Sequence, residues 1–97
     1  MEIKVVNPQE VAITGNIKTV SDYLEIKGAI SSLLKEGGKE LAVKIPDSVS
    51  ITSSVIGYFL KLIYQDGVKV TVLVGDQRLF KLLEDLRLSE AFCAGKL

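Results

Sequence analysis

Glu40-Leu41-Ala42-Val43-Lys44-Ile45-Pro46, followed by Asp47-Ser48-Val49-Ser50-Ile51-Thr52-Ser53-Ser54, is the stretch from which the fold can be read. Residues 40–45 form a short β-rich run. Pro46 stops it, because proline has no backbone N–H to offer a ladder. Beyond the hydroxyl-rich connection, residues 54–65 carry apolar side chains at helical spacing, and Asp66-Gly67 closes that segment. A second β-rich run follows at residues 69–74, with Val70, Val72 and Val74 on one face and Thr71 and Leu73 on the other. Both runs read as central strands rather than edges. Strand, helical crossover and strand make a βαβ unit, and such connections are right-handed in nearly all folds.

The pattern extends in both directions. On the N-terminal side, residues 21–36 place Tyr23, Ile26, Ile30, Leu33 and Leu34 at three- and four-residue spacing, which predicts an amphipathic helix. Ser21 or Asp22 is expected to cap it, and Gly37-Gly38 to end it. Before that helix, residues 2–6 and 10–14 are strand candidates, and Asn7-Pro8-Gln9 between them is a turn short enough for an antiparallel hairpin. On the C-terminal side a last helix is expected from about residue 76 to 86, with Leu79, Phe80, Leu83 and Leu86 inward. The prediction is one small α/β domain over residues 1–97. Its sheet is mixed and mostly parallel, with four to five strands, a leading antiparallel edge strand and helices packed against it.

Composition narrows the function classes. Twelve Lys and Arg balance twelve Asp and Glu with no basic run, so the field that would hold a nucleic acid backbone is missing. No apolar stretch approaches the ~20 residues of a bilayer span, so no membrane insertion is expected. Residues 1–8 lack the apolar core of a signal peptide, and a cytoplasmic location is expected. Cys93 is the single cysteine, so no internal disulfide forms and it reads as an ordinary thiol. The chain has no histidine, which removes the commonest general base and metal ligand. Gly15-Asn16-Ile17-Lys18-Thr19 lacks the glycine spacing of a phosphate-binding loop. The expectation is a non-enzyme with no metal and no cofactor.

One constellation stands out. Thr52, Ser53 and Ser54 put three hydroxyls in a row at the start of the 54–65 helix. Capping accounts for one of them, since a single Thr or Ser can accept from the free N–H groups of the first turn. A helix N-terminus also tolerates a phosphate dianion, so a hydroxyl there can be modified without unfolding the domain.

The run Ile51-Thr52-Ser53-Ser54-Val55-Ile56-Gly57, between the strands at 41–45 and 69–74, resembles the signature of the STAS family, which reads apolar-Asp-Ser-Ser-Gly-apolar-Gly. Gly15-Asn16-Ile17-Lys18 stands in place of that family's Gly-Glu-Leu-Asp, and residues 86–92 resemble its closing segment, so the likeness spans about Val11 to Phe92. The departures are Thr52 for aspartate, Val55 for glycine, and Lys18 and Lys44 where aspartates are typical. The resemblance implies a non-enzymatic regulator like the bacterial anti-sigma factor antagonists, acting in transcriptional signalling, with Ser53 as phosphoacceptor. It implies a protein partner, an anti-sigma factor or kinase-like regulator. A second implied reading is an accessory subunit of a lipid-type ABC transport system, whose partner is the transporter ATPase. A sensor binding a ligand or nucleotide at the same strand-to-helix loop is a third.

Because strands of an α/β sheet present their C-terminal ends to the functional edge, Lys18, Lys44 and Ser53 are expected near one another on a basic rim that either suits an acidic partner or holds a phosphorylated Ser53 by local cations. Val55, Tyr58 and Leu62 form an apolar stripe beside the one made by Ile56, Phe59, Leu60 and Ile63, which is assigned to the sheet. Either a neighbouring helix covers the first stripe or it is a docking face. The expected partner surface is therefore Lys18, Lys44, Thr52, Ser53, Ser54, Val55, Tyr58 and Leu62. Exposed apolar surface is also compatible with a homodimer.

Overall fold

Alternating β-branched residues set the strands, and the residues between them decide where each stops. In the computed structural model, which describes Met1–Leu97, β1 (Glu2–Asn7) and β2 (Glu10–Thr14) pair antiparallel. Asn7 Oδ1 accepts from Gln9 N at 2.8 Å, so the turn is held by its own asparagine. β3 (Glu40–Ile45) and β4 (Lys69–Val74) run parallel to β2, and β3 and β4 stay in register from Glu40–Lys69 to Ile45–Val74. A two-residue strand, β5 (Gly95–Lys96), pairs parallel with the end of β4, giving the sheet order β1-β2-β3-β4-β5.

Three helices make the crossovers: α1 (Val20–Leu34), α2 (Ser53–Tyr64) and α3 (Gln77–Asp85). Each crossover steps one strand in the same direction, so right-handed connections place all three helices on one face of the sheet. Burial follows that geometry. Val11, Ile13, Leu41, Val43, Ile45, Val70, Val72 and Val74 are buried in a single cluster with Ile26 and Ile30 of α1, Val55, Tyr58, Phe59 and Leu62 of α2, and Leu79 and Leu83 of α3. The alternate strand positions Ala12, Ala42, Lys44, Thr71 and Leu73 are half-buried on the opposite face, which carries no helix. The fold is thus a two-layer α/β domain with a mostly parallel sheet.

The helix ends show where local chemistry decides. α1 is capped by Thr19, not by Ser21 or Asp22: Thr19 Oγ1 accepts from Asp22 N at 3.1 Å, and Asp22 Oδ2 accepts from Thr19 N at 3.1 Å. Asp22 is thus the returning member of a capping box. α3 ends in a Schellman arrangement, with Leu88 N donating to Leu83 O and Arg87 N to Glu84 O, and it holds Arg87 at φ 59°.

The tail after α3 turns back onto the sheet. Phe92 is fully buried, meets Phe59 edge-on with ring centroids 5.8 Å apart, and accepts from Val72 N at 2.9 Å through its carbonyl. Leu86 is 48% exposed, which corrects the expectation that it points inward.

Candidate functional site

Three loops meet where the parallel strands end: Gly15–Thr19 after β2, Pro46–Thr52 after β3, and Gly75–Asp76 after β4. The first two are laced together by side chains that replace the backbone partners a loop lacks. Asp47 Oδ1 accepts from Gly15 N at 2.8 Å, and Asn16 Oδ1 accepts from Val49 N at 2.9 Å. Ser48 Oγ accepts from Ile17 N at 3.1 Å and donates to Ser50 O at 2.6 Å. Ser50 Oγ donates to Ile17 O at 3.2 Å. Ser48 is the one buried polar residue of the chain, so this network sits partly inside the protein and rigidifies both loops.

Two glycines allow the approach. Gly15 adopts φ +80°, a left-handed conformation that L side chains rarely take. A Cβ at Gly75 would stand 2.2 Å from Pro46 O, so the third loop can pass the second only without a side chain.

The loop after β3 delivers the chain into α2. Thr52 is the N-cap, and its Oγ1 accepts from Val55 N at 3.3 Å. Ser53 and Ser54 follow as the first two helical residues, both exposed, and their side chains make no hydrogen bond. Their backbone N–H groups precede the first intrahelical donor, Ile56 N, which bonds Thr52 O at 3.0 Å. No acidic residue lies in the first turn of α2. The terminus therefore combines free amides, the positive end of the helix dipole and an unengaged hydroxyl on Ser53.

Carboxylates at the neighbouring helix starts are committed elsewhere. Asp22 is held below the ordinary carboxylate range, chiefly because the backbone N–H of Lys18 donates to it at 2.9 Å, with that of Thr19 second. Asp76, the N-cap of α3, is lowered to about 2, first by its side-chain bonds from Arg78 at 2.9 and 3.1 Å and then by the Arg78 backbone N–H at 2.8 Å.

The expected partner surface divides into residues this edge gathers and residues it does not. Thr52, Ser53 and Ser54 lie together at the helix terminus. Lys18 is exposed one residue beyond the Ile17–Ser50 bond and takes part in no ion pair. Lys44 is elsewhere: its side chain lies on the helix-free face, paired with Glu10 at 3.1 Å, because alternation along β3 sends it opposite to Val43 and Ile45. The basic rim made of both lysines is thus corrected to Lys18 alone.

Val55, Tyr58 and Leu62 are also corrected. All three are buried, and Tyr58 Oη lies 3.0 Å from Ser31 Oγ of α1, so a helix of the same domain covers this stripe. Ile56, Leu60 and Ile63, assigned to the sheet by their spacing, are only half-buried. Asn16, Asp47 and Ser48, which position the loops, were not singled out by sequence reasoning. Nothing in local spacing separates Ser48 from Ser50, and the difference arises only when Ile17 arrives from another loop. Comparison of the chain with family models, curated proteins and solved structures returned no match.

Proposed function

We propose that this chain is a non-enzymatic, STAS-like protein-binding module whose partner is released by phosphorylation of Ser53. The observation that carries the reading is the division of labour at α2. Thr52 caps the helix, which leaves the Ser53 hydroxyl exposed, unbonded and next to free amides. A phosphate on Ser53 adds nearly two negative charges at a position where the backbone favours an anion and no first-turn carboxylate opposes it. The domain stays folded and the surface changes sign.

The contact surface of this reading is Ser53, Ser54 and the adjoining outer side of α2. One turn beyond Ser53, a Cβ at Gly57 would meet no atom within 4 Å, so the surface there is open. Ile56 and Leu60 add half-buried apolar area beside it. Lys18 supplies the cation at the edge, which suits a partner with acidic groups facing the loop. A partner that buries this surface would have to desolvate the phosphate. A loss of about 4 kcal/mol corresponds to roughly a thousandfold weaker binding. The resemblance to anti-sigma factor antagonists suggests an anti-sigma factor or a kinase-like regulator as that partner.

The test pairs affinity with stability. The partner is captured from the native host with wild-type protein, and its affinity is then measured for Ser53→Ala and Ser53→Asp. Ser53→Ala is expected to bind like wild type and Ser53→Asp at least a hundredfold more weakly, with Tm values within a few degrees of each other. Mass spectrometry of native protein is expected to place phosphate on Ser53. Equal binding by both variants, together with unmodified Ser53, overturns the switch. Capture of a transport ATPase with membrane components would replace the signalling partner by a transport one.

A further inference from the structure

We propose that the helix-free face of the sheet is a pairing surface for a second copy of this chain. Parallel strands are ordinarily covered on both faces, yet β2, β3 and β4 are covered on one. The bare face is not a random polar surface. Register across the strands aligns Glu10 with Ala42 and Thr71 in one row, and Lys4, Ala12, Lys44 and Leu73 in the next, two residues further along. One row is acidic, the other basic, and alanines form the floor between them.

This pattern is self-complementary. Consider a two-fold axis lying in the interface, running across the strands midway between the two rows. It turns the second sheet antiparallel, so Glu10 of each copy seats over Ala12 of the other, between its Lys4 and Lys44. Lys44 correspondingly lies over Ala42, and Leu73 over Thr71. Moving the axis onto either row would set Lys44 on Lys44 or Glu10 on Glu10, and like charges then repel. Glu10 and Lys44 already bond within one copy at 3.1 Å, with the Lys44 side chain 40% exposed. Pairing therefore gives each Glu10, already bonded to its own Lys44, the Lys4 and Lys44 of the other copy as further partners. An isologous contact of this kind closes as a dimer.

Size sets the strength. Four long strands at about 4.8 Å spacing and about 3.3 Å per residue span roughly 400 Å² on each copy, about half of what a partner contributes to a standard interface. The dimer is accordingly a weak one. Its geometry leaves both helical layers outward, so Ser53 of each copy faces away from the pairing surface. A target with two docking sites would then bind the second one intramolecularly.

Sedimentation velocity of the 97-residue protein over about 10 µM to 1 mM, the range of weak association, is the test. Wild type is expected to shift from monomer to dimer, and to revert several-fold toward monomer when salt is raised to about 0.5 M. Glu10→Lys and Lys44→Glu, each alone, are expected to stay monomeric, because each turns the contact between position 10 of one copy and position 44 of the other into a like-charge one. Mixed one to one, they are expected to form a heterodimer tighter than wild type, since the like charges at positions 10 and 44 within each variant then meet opposite charges across the interface. Circular dichroism confirms that each single variant is folded, and heterodimer formation itself requires it. Wild type that remains monomeric to 1 mM, or a mixture that fails to associate, overturns the proposal; neither result bears on Ser53.

Discussion

At the scale of single residues, the decisive side chains are those that satisfy backbone groups from another segment. Ser48 is fully buried, and its Oγ accepts from Ile17 N across the two loops that frame the start of α2. Ser48→Ala leaves that N–H without a partner in a protected position, a cost of about 1–3 kcal/mol. Ser50→Ala, at a half-buried residue whose hydroxyl makes the single bond to Ile17 O, is expected to cost less. Thermal unfolding of the two variants decides this, and equal Tm values would show that the loops are not held at Ser48. Arg87 offers a change of the opposite sign. Its φ of 59° strains any residue with a Cβ, while its bonds form the end of α3. Arg87→Gly is expected to stabilise by about 1 kcal/mol and Arg87→Ala to give no gain. A Tm for the glycine variant at or below wild type would sink that account.

At the scale of elements, the helix starts respond to acid. Asp22 and Asp76 both hold their protons less tightly in the folded chain than the ordinary carboxyl does. Their contribution is therefore complete above the unfolded value of about 4. It is lost as pH falls through the folded value, about 2 for Asp76. The Tm of wild type is expected to decline over that window. Asp76→Asn, which keeps a capping oxygen but no titrating group, should decline less steeply, and parallel curves would refute the assignment. The elements also show how far local patterns reach. Residues 40–45 and 69–74 are strands as their alternation requires, whereas α2 buries Val55, Tyr58 and Leu62 together with Phe59 and leaves Ile56, Leu60 and Ile63 half-buried. Two apolar stripes on one helix cannot be ranked by periodicity, and α1 settled the matter by packing against Val55, Tyr58 and Leu62.

At the scale of the whole molecule, one-sided packing makes the core depend on a few large residues. Phe59 and Phe92 are the largest fully buried side chains, and Phe92 belongs to the tail that closes the sheet beyond β4. Phe92→Ala is expected to remove about 3–5 kcal/mol, a large share of the roughly 5–15 kcal/mol that stabilises a domain. Leu86→Ala, at a half-exposed site, should change stability by under about 1 kcal/mol. Urea denaturation of the two variants ranks them, and a reversed order would mean that the tail does not complete the core.

The amino-acid sequence by itself determined the order of strands and helices, the parallel crossovers, the stop at Pro46 and the hydroxyl-bearing start of α2. Each of these is written in neighbours a few residues apart, where proline, alternation and helical spacing act directly. The tertiary structure alone decided that Lys44 leaves the loop edge for the open face, that α1 buries the Val55–Tyr58–Leu62 stripe, that Ser48 ties two loops together, and that residues 95–96 add a fifth strand. Those outcomes depend on which segment arrives from a distance to cover a surface or accept a hydrogen bond, and short-range pattern carries no record of that arrival.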